Sequence, residues 1–268
     1  MTDGLTDRQM ERYARHIALK EIGKKGQEKL LRSSVLCIGA GGLGSPVIQY
    51  LAAAGVGTLG IMDADVVDES NLQRQVIHAG MAGLEKVKSA SDFVSRLNPD
   101  VKVNTYNMWA AADNIMDIVA EYDIVVDCSD NFTTRYLVND ACVLQDKPLS
   151  HGSIFRFEGQ VTTIVPGKGP CYRCLFERAP PESSVKTCRE AGVMGVLPGV
   201  IGSIQASEVI KQLLGIGESL VGRMVYFDAL HMVFDEISMK KNPDCPVCGE
   251  NPLITEITGE NYRNDCSL

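Results

Sequence analysis

A short apolar run that ends in a glycine-rich turn is the strongest constraint on the fold of this 268-residue chain. Residues 35–38 read Val-Leu-Cys-Ile, and Gly39, Gly41 and Gly44 follow with G-x-G-x-x-G spacing before a helical stretch that reaches Ala54. In such a turn the first glycine permits the tight bend, the second lets a phosphate approach the backbone, and the third allows close helix packing. The spacing predicts a nucleotide site, and a turn that serves strand–helix packing alone is the alternative.

Strand-like and helical stretches alternate from residue 35 to about residue 150. Further strands are predicted at 58–62, 101–106, 123–128 and 147–150, and helices at 84–97, 115–121 and 131–145. This alternation predicts an α/β fold with a doubly wound, mostly parallel Rossmann-like sheet that is covered on both faces. Before it, residues 6–31 predict a helix that opens with a capping box between Thr6 and Gln9. After it, C-terminal antiparallel strands are predicted at 157–165 and 224–227, with a helix over 200–214.

The composition supports a large core and argues against two classes of partner. Hydrophobic residues make up 45% and charged residues 22% of the chain, which excludes a disordered tail protein. The 34 Asp and Glu residues outnumber 26 Lys and Arg residues, and the net charge of −8 disfavours nucleic acid and anionic membranes. Residues 1–8 are polar and are not followed by the apolar h-region of a signal peptide, so we expect a cytoplasmic protein without a membrane span.

Charged side chains follow the second strand and open the next helix. Asp63 ends that strand, in the window where an acid holds a ribose hydroxyl. Arg74 lies between two glutamines, and Lys86 occupies a first helical turn, where a cation opposes the helix dipole. A triphosphate needs cations at its β and γ groups, whereas helix N–H groups can serve the two phosphates of a dinucleotide. Arg74 and Lys86 therefore favour ATP over a nicotinamide cofactor, and a solvated surface position is the alternative for each.

Asp130 and Asn131 follow a buried strand at the predicted carboxyl edge of the sheet, where doubly wound folds bind ligands. Two uses of Asp130 stay open at this point. The residue can cap the helix that begins there, or its carboxylate can hold Mg²⁺ against phosphate oxygens. The two uses are compatible with each other.

Four of the nine cysteines form two Cys-x-x-Cys pairs, Cys171 with Cys174 and Cys245 with Cys248. An odd number of cysteines fits a reducing compartment and a bound metal better than a disulfide framework. A shared metal site would close the long loop between the two pairs, which costs roughly 4 kcal/mol of entropy. A structural zinc site contributes on the order of 10 kcal/mol, which outweighs that cost. We expect one Cys₄ site for Zn²⁺, with two unrelated pairs or a redox pair as the alternative.

Taken together, these residues resemble the ubiquitin-activating-like ThiF/MoeB/HesA superfamily, and within it the molybdopterin-synthase adenylyltransferases most. The resemblance spans residues 12–248. It is carried by Arg12-Tyr-Ala-Arg15, Gly39-Ala-Gly-Gly-Leu-Gly44, Asp63-Ala-Asp65, Ser70-Asn-Leu-Gln-Arg-Gln75, Lys86, Asp127-Cys-Ser-Asp-Asn131 and the paired cysteines. It implies an enzyme that uses ATP and Mg²⁺ to adenylate the C-terminal glycine of a small ubiquitin-fold sulfur carrier ending in Gly-Gly, with release of pyrophosphate. Such carriers serve molybdopterin, thiamine or related sulfur transfer.

The resemblance also implies roles for individual positions. It places Gly41 and its neighbours at the phosphates, Asp63 at the ribose and Asp130 on Mg²⁺. The nucleotide-binding candidates are Gly39, Gly41, Gly42, Gly44, Asp63, Asp65, Ser70, Asn71, Gln73, Arg74, Lys86, Asp130 and Asn131. The catalytic candidates are Arg15, Arg74, Lys86, Asp130 and Cys188.

Two of the catalytic candidates carry further implications. In this superfamily an arginine of the N-terminal helix reaches into the site of the partner subunit, and the matching position is Arg15, which implies a homodimer. Cys188 has Lys186 and Arg189 nearby, and these cations favour the thiolate that attacks an acyl-adenylate. A covalent role and no role for Cys188 both stay open.

The expected organisation is a single domain with four parts. Residues 1–34 form an N-terminal helical segment, 35–150 the nucleotide-binding half, 151–252 the carrier- and zinc-binding half, and 253–268 a polar tail. Three alternatives remain: an NAD-dependent dehydrogenase, a peptide-adenylating relative, and a non-catalytic scaffold. Arg74, Lys86 and Asp130 together count against the dehydrogenase.

Overall fold

The computed structural model describes residues 4–178 and 191–262. Within these residues eight strands form a sheet in the order β3-β2-β1-β4-β5-β6-β7-β8. The strands are β1 Ser34–Ile38, β2 Thr58–Met62, β3 Lys102–Tyr106, β4 Ile124–Asp127, β5 Leu149–Phe155, β6 Glu158–Ile164, β7 Arg223–Asp228 and β8 Val233–Ser238. Strands β1 to β5 are parallel, and β6 to β8 continue the sheet in antiparallel pairs. The predicted fold class is confirmed.

Helices cover both faces of this sheet. They are α1 Asp7–Arg12, α2 Ala14–Ile17, α3 Gly23–Arg32, α4 Gly44–Ala54, α5 Lys86–Leu97, α6 Ile115–Ala120, α7 Phe132–Leu144, α8 Tyr172–Leu175 and α9 Leu197–Leu214. Helices α4, α5 and α9 contribute to the core on one face, and α6, α7 and the cysteine-bearing segments to the core on the other. Because both faces are covered, the inner parallel strands β1, β2 and β4 are largely apolar runs.

The N-terminal helix predicted over residues 6–31 is three shorter helices. The capping box between Thr6 and Gln9 is present, as expected. The chain leaves α1 at Tyr13, whose buried hydroxyl accepts a hydrogen bond from Asn98 at 2.8 Å. Its ring fills the space beside Gly55, where a Cβ atom would lie 2.6 Å from it. These tertiary contacts override the helical pattern at Tyr13.

The C-terminal half differs from expectation at its edge. Strand β5 is seven residues long rather than four, and it forms a hairpin with β6. Strand β8 was not predicted, and all six of its residues are exposed. An exposed edge strand buries neither face, so its sequence lacks the alternation that marks a half-buried strand. Among residues 4–178 and 191–262, no helix combines the length and hydrophobicity needed to cross a bilayer, and the cytoplasmic location stays a prediction.

Candidate functional site

A cleft opens at the carboxyl ends of β1 and β4. Strand β1 pairs with β2 on one side and with β4 on the other. The strand order therefore runs from β1 toward β3 on one side and from β4 toward β8 on the other. Ligands of doubly wound sheets bind at such a switch point. The predicted site residues that line the cleft are Gly39, Gly41, Gly42, Asp63, Asp65, Arg74, Lys86, Asp130 and Asn131.

The glycine-rich turn forms one wall of the cleft. Gly39 has a φ of +96°, and a Cβ atom there would lie 2.7 Å from the carbonyl oxygen of Cys128. A Cβ atom on Gly44 would lie 2.1 Å from the carbonyl oxygen of Gly39. Both positions therefore require glycine, for close approach of the turn to β4 and of α4 to the turn. Between them, Gly41 and Gly42 face the cleft, so a phosphate can approach the main chain at the start of α4.

A buried lysine lies between two carboxylates beside this turn. The Nζ atom of Lys86 is 2.6 Å from Oδ2 of Asp65 and 3.9 Å from Oδ2 of Asp63. Asp63 also accepts hydrogen bonds from the backbone N–H groups of Ala40 and Asp65, both at 2.8 Å. Burial raises the pKa of Asp63, and the charge of Lys86 opposes that rise. The arrangement fixes one acid at the end of β2 and one cation at the cleft wall.

A buried histidine holds the turn from behind. The Nε2 atom of His78 lies 2.7 Å from the carbonyl oxygen of Ala40, and its Nδ1 atom lies 2.9 Å from Oγ of Ser89. Burial lowers the pKa of His78. The neutral ring therefore donates from Nε2 to Ala40 and accepts at Nδ1 from the Ser89 hydroxyl. His78 therefore supports the turn structurally.

The floor of the cleft rests on a buried carboxylate at the end of β4. Oδ1 of Asp127 accepts hydrogen bonds from the backbone N–H and the hydroxyl of Ser129, at 2.9 and 2.6 Å. Oδ2 of Asp127 lies 2.8 Å from Nδ1 of His151 on β5. Burial alone would raise the pKa of Asp127, but the hydrogen bond from His151, the charge of Arg135 and the hydrogen bond from Ser129 together outweigh it and the pKa is lowered. The loop that carries Asp130 is thus fixed by an ionised group.

Arg74 supplies a second cation at the cleft. Its Nη1 atom donates to the carbonyl oxygen of Ser70 at 3.4 Å, and its Nη2 atom donates to Oδ1 of Asn71 at 3.2 Å. Ser70 and Asn71 do not line the cleft themselves. They orient the guanidinium, which is an indirect contribution that the sequence motif did not reveal.

Arg135 is a third cation of the cleft, and it belongs to none of the sequence motifs described above. Its Nη2 atom donates to the carbonyl oxygen of Ser129 at 3.4 Å, and its guanidinium lies over the ring of Phe132 at 5.2 Å. Its buried Nε atom has no hydrogen-bond partner among the described residues. The sequence signal that could have identified Arg135 is a basic residue one helical turn after Asn131, in the helix that begins at the carboxyl edge of β4.

Asp130 lies at the rim, and the alternative of a helix cap is taken by its neighbour. Oδ1 of Asn131 accepts a hydrogen bond from the backbone N–H of Thr134 at 2.9 Å, so Asn131 is the N-cap of α7. Asp130 is exposed, and its carboxylate has no hydrogen-bond or salt-bridge partner in the part of the chain that the structure describes. It is therefore available to a cation at the cleft.

Other predicted residues lie elsewhere. Gln73 contacts Gly195 rather than lining the cleft, since a Cβ atom on Gly195 would meet its side chain at 2.4 Å. Arg15 is exposed on α2 and does not line the cleft. Cys188 lies outside the described residues. The lining residues that the sequence analysis did not select are Ile38, Leu43, Met62, Gln75, Met108, Trp109, Ala110, Cys128, Ser129, Thr134, Arg135, Ile154 and Val193.

The two Cys-x-x-Cys pairs meet beside the core that α6 and α7 form on one face of the sheet. Sγ of Cys171 lies 3.9 Å from Sγ of Cys174 and 3.5 Å from Sγ of Cys245, and Sγ of Cys174 lies 3.4 Å from Sγ of Cys248. All four sulfur atoms lie within 4.8 Å of one another. A tetrahedral zinc site with bonds of about 2.3 Å has sulfur–sulfur edges of about 3.8 Å. The cluster fits such a site, and the alternative of two unrelated pairs is wrong.

Comparison with known proteins places this cleft in a family. A profile of the ThiF family matches residues 13–247. The chain belongs to the ThiF family. The family match confirms the resemblance that the glycine-rich turn, the cations and the paired cysteines indicated. The chain is therefore an enzyme of the adenylyltransferase class.

Relatives with high identity extend over the full chain. The SAMP-activating enzyme E1 of Haloferax volcanii is 51% identical, over 100% of this chain and 99% of its own length. The sulfur carrier protein adenylyltransferase of Thermus thermophilus is 47% identical over 98% of each protein. The adenylyltransferase and sulfurtransferase MOCS3 of Sus scrofa is 48% identical over 98% of this chain, which spans 58% of that longer relative. Among solved structures, E. coli MccB with MccA-N7isoASN has a TM-score of 0.78 at 25% identity, covering 90% of this chain and 75% of MccB.

Proposed function

We propose that this protein uses ATP to adenylate the C-terminal glycine of a small ubiquitin-fold sulfur carrier that ends in Gly-Gly. The carrier's carboxylate attacks the α-phosphorus, the bond to the β-phosphate oxygen breaks, and pyrophosphate leaves with that electron pair. The attacking carboxylate is already ionised at neutral pH, so the reaction needs no general base. What it needs is alignment of the two reactants and neutralisation of the charge that collects on the phosphates.

The observation that carries this proposal is the convergence of Arg74, Lys86 and Arg135 on a cleft that also contains the glycine-rich turn. Three cations suit a triphosphate, whereas the two phosphates of a nicotinamide cofactor are served largely by main-chain N–H groups. The fixed position of Asp63 at the end of β2, held by two backbone hydrogen bonds, supports its proposed role at a ribose hydroxyl. Family membership and these charges together remove support from the dehydrogenase alternative.

Arg135 is suited to a role at the attacking carboxylate. Its guanidinium is held by Ser129 and Phe132, and its Nε atom retains an unused donor. A buried donor without a partner carries a desolvation cost that a bound anion would relieve. We assign Arg135 to bind one of the two anionic groups that meet at the α-phosphorus, which are the carrier's C-terminal carboxylate and the phosphate itself.

The residues present also fit the two metals. Asp130 offers one unpaired carboxylate at the rim, and Mg²⁺ commonly takes one or two carboxylates together with phosphate oxygens and water. Bound there, Mg²⁺ would supply positive charge to the phosphates. The four sulfur atoms of Cys171, Cys174, Cys245 and Cys248 suit Zn²⁺. A site filled by four protein ligands has no open position, so zinc would serve structure rather than catalysis.

Arg15 is proposed to act across a homodimer. It is exposed on α2 and does not reach the cleft of its own chain, which supports action in a second copy. A mixture of Arg15→Ala and Arg74→Ala chains tests this, because a mixed dimer would contain one cleft with both arginines. Recovered activity supports the arrangement, and confirmed mixed dimers without activity contradict it. The covalent role of Cys188 stays a prediction. The activity of a Cys188→Ser variant in the same assay tests it.

The identity of the carrier is left to experiment. The relatives are named for different carriers, a SAMP in one case and a sulfur carrier protein in another. Peptide adenylation is the second candidate, because the fold matches MccB, which was crystallised with MccA derivatives. We propose the sulfur carrier because identity to the carrier-activating relatives is about twice the identity to MccB.

ATP–pyrophosphate exchange tests the proposed function. Radiolabelled pyrophosphate should enter ATP when a Gly-Gly-ended carrier is present, because the adenylation step is reversible. The matched control is the same carrier without its last two residues, which should support no exchange. Exchange that is absent with a panel of carriers but present with a short peptide would replace this proposal with peptide adenylation. Exchange absent with both would overturn it.

A further inference from the structure

The two residues between Cys171 and Cys174 are buried and are hydrogen-bonded to helix α7. Tyr172 is 2% exposed, and its backbone N–H donates to Oδ1 of Asn139 at 2.8 Å. The Nε atom of Arg173 donates to both carboxylate oxygens of Asp140 at 2.8 and 2.9 Å, and its Nη2 atom donates to Oδ2 at 2.7 Å. The cysteine cluster is thus attached to α7 by side chains that coordinate no metal themselves.

Asp140 is the centre of this attachment. Its side chain is fully buried, and a buried carboxylate is strongly unfavourable unless it is paired and hydrogen-bonded. The hydroxyl of Tyr262 donates to it at 2.8 Å, and the Arg173 guanidinium lies 4.7 Å from the ring centre of Tyr136. One carboxylate therefore holds the cysteine-bearing segment and the segment at residue 262 on the last turns of α7.

The other end of the same helix forms a wall of the nucleotide cleft. Thr134 and Arg135, in the first turns of α7, line the cleft, and Asn131 caps the helix there. Helix α7 has 13 residues, which corresponds to a rigid rod of about 20 Å. Asp140 and Arg135 are therefore carried by the same rigid helix.

A second connection runs through the sheet. The ring of Tyr172 packs on the ring of His151 with centroids 4.7 Å apart. His151 is hydrogen-bonded to Asp127, and Asp127 fixes Ser129 at the floor of the cleft. Both connections begin at the two residues inside the Cys171–Cys174 segment, and both end at the cleft.

We propose that Asp140 and Arg173 are positioning residues that couple the cysteine cluster to the nucleotide cleft. The inference rests on the proposed function, since it takes ATP as the ligand of the cleft and Zn²⁺ as the ligand of the cluster. A closed cluster holds Tyr172 and Arg173 in place, and these hold α7 and the cleft floor in the arrangement that binds ATP. Coupling between two binding sites is reciprocal, so each ligand strengthens the binding of the other by the same factor.

The test measures both directions of this coupling. Release of zinc to a chromogenic chelator, 4-(2-pyridylazo)resorcinol, is followed with and without MgATP and without carrier. Binding of MgATP is followed by fluorescence of Trp109, the single tryptophan of the chain, which lines the cleft. In the wild-type protein we expect MgATP to tighten zinc binding about fivefold, measured as the equilibrium division of zinc between the protein and the chelator. Removal of zinc should weaken MgATP binding by the same factor.

The decisive variant is the double substitution Arg173→Met with Asp140→Leu. Removal of both partners leaves no unpaired buried charge, so the fold is spared the cost that either single change would impose. Zinc content is measured first to show that the cluster still fills. The matched control is Arg223→Met, which removes a partly exposed arginine paired with Glu236 at 2.8 Å, far along the sheet on β7. The double variant should lose the coupling in both directions, and the control should keep it.

Two results would overturn the inference while the proposed function stands. The first is MgATP binding to the wild-type protein with no effect on zinc binding. The second is full coupling in the double variant. A wild-type protein that binds no MgATP at all would overturn the proposed function, and the coupling with it.

Discussion

Replacement of Lys86 by methionine tests the electrostatic account of the cleft. The Nζ atom of Lys86 is almost fully buried, 2.6 Å from Asp65 and 3.9 Å from Asp63. Two unit charges about 4 Å apart interact by about 4 kcal/mol at an effective dielectric constant of about 20. If Lys86 faces a phosphate oxygen at that separation in the transition state, Lys86→Met should lower kcat/KM about a thousandfold.

The assay is carrier-dependent ATP–pyrophosphate exchange over a range of ATP concentrations. Lys88→Met is the matched control, because Lys88 is on the same helix, is 62% exposed and pairs with Asp92. It should leave the exchange rate unchanged, as exposed ion pairs contribute little. Thermal unfolding of both variants shows whether the fold is intact. A folded Lys86→Met protein whose kcat/KM lies within about tenfold of the wild-type value would refute the assigned role, since that is a loss of only ~1.4 kcal/mol.

Three further changes have defined outcomes. Gly39→Ala should abolish MgATP binding in a fluorescence titration, because the added Cβ atom would clash with Cys128. The control is Gly80→Ala, which should retain binding because Gly80 also has a positive φ but has no neighbour within 4 Å of an added Cβ atom. Equal loss of binding in both variants would mean that backbone strain at positive φ, and not the clash, is the cause. Burial lowers the pKa of His78, so stability is full above about pH 6.5 and is lost as the pH falls below it. The free energy of urea unfolding should therefore fall less between about pH 7.5 and 5.5 in His78→Asn than in the wild-type protein, by up to about 1.4 kcal/mol. The same fall in both proteins would contradict the buried neutral ring. Cys248→Ser should reduce zinc content measured by mass spectrometry and lower the unfolding temperature, and undiminished zinc would remove Cys248 from the ligand set.

Four of the five parallel strands were predictable almost to the residue. Strand β2 begins and ends where the apolar run at 58–62 does, and β1, β3 and β4 differ by one or two residues from their predicted bounds. Strands β1, β2 and β4 are buried on both faces, so burial alone leaves a continuous apolar run in the sequence, whereas β3 is partly exposed at the edge of the sheet. Strand β8 left no such record because it is exposed, and the break at Tyr13 depends on contacts with Gly55 and Asn98 that are distant in sequence.

The site was predictable where a sequence motif lies at the cleft itself. Gly41, Asp63, Lys86 and Asp130 follow strand ends or begin helices, and all line the cleft. The residues that hold them were not predictable, because their partners are far apart in the chain. The contact of His151 with Asp127, for example, joins two strands and has no local sequence pattern.

The same limit applies to the residues that share the cleft without a motif. Arg135 is one basic residue on an ordinary helix, and only the fold shows that it faces the same cleft as Arg74 and Lys86. Asn71 was selected as a nucleotide ligand from the motif, but in the structure its side chain supports Arg74. Sequence spacing predicts which residues are near a site more reliably than it predicts which of them meet the ligand.

Intact-mass spectrometry of the carrier tests the central claim most directly. A purified Gly-Gly-ended carrier is incubated with the enzyme, ATP and Mg²⁺, and with inorganic pyrophosphatase to draw the reaction forward. We predict a carrier whose mass is increased by one adenylyl group on its C-terminal glycine. A carrier that keeps its original mass, in the presence of an enzyme shown to bind both ATP and the carrier, would contradict the account.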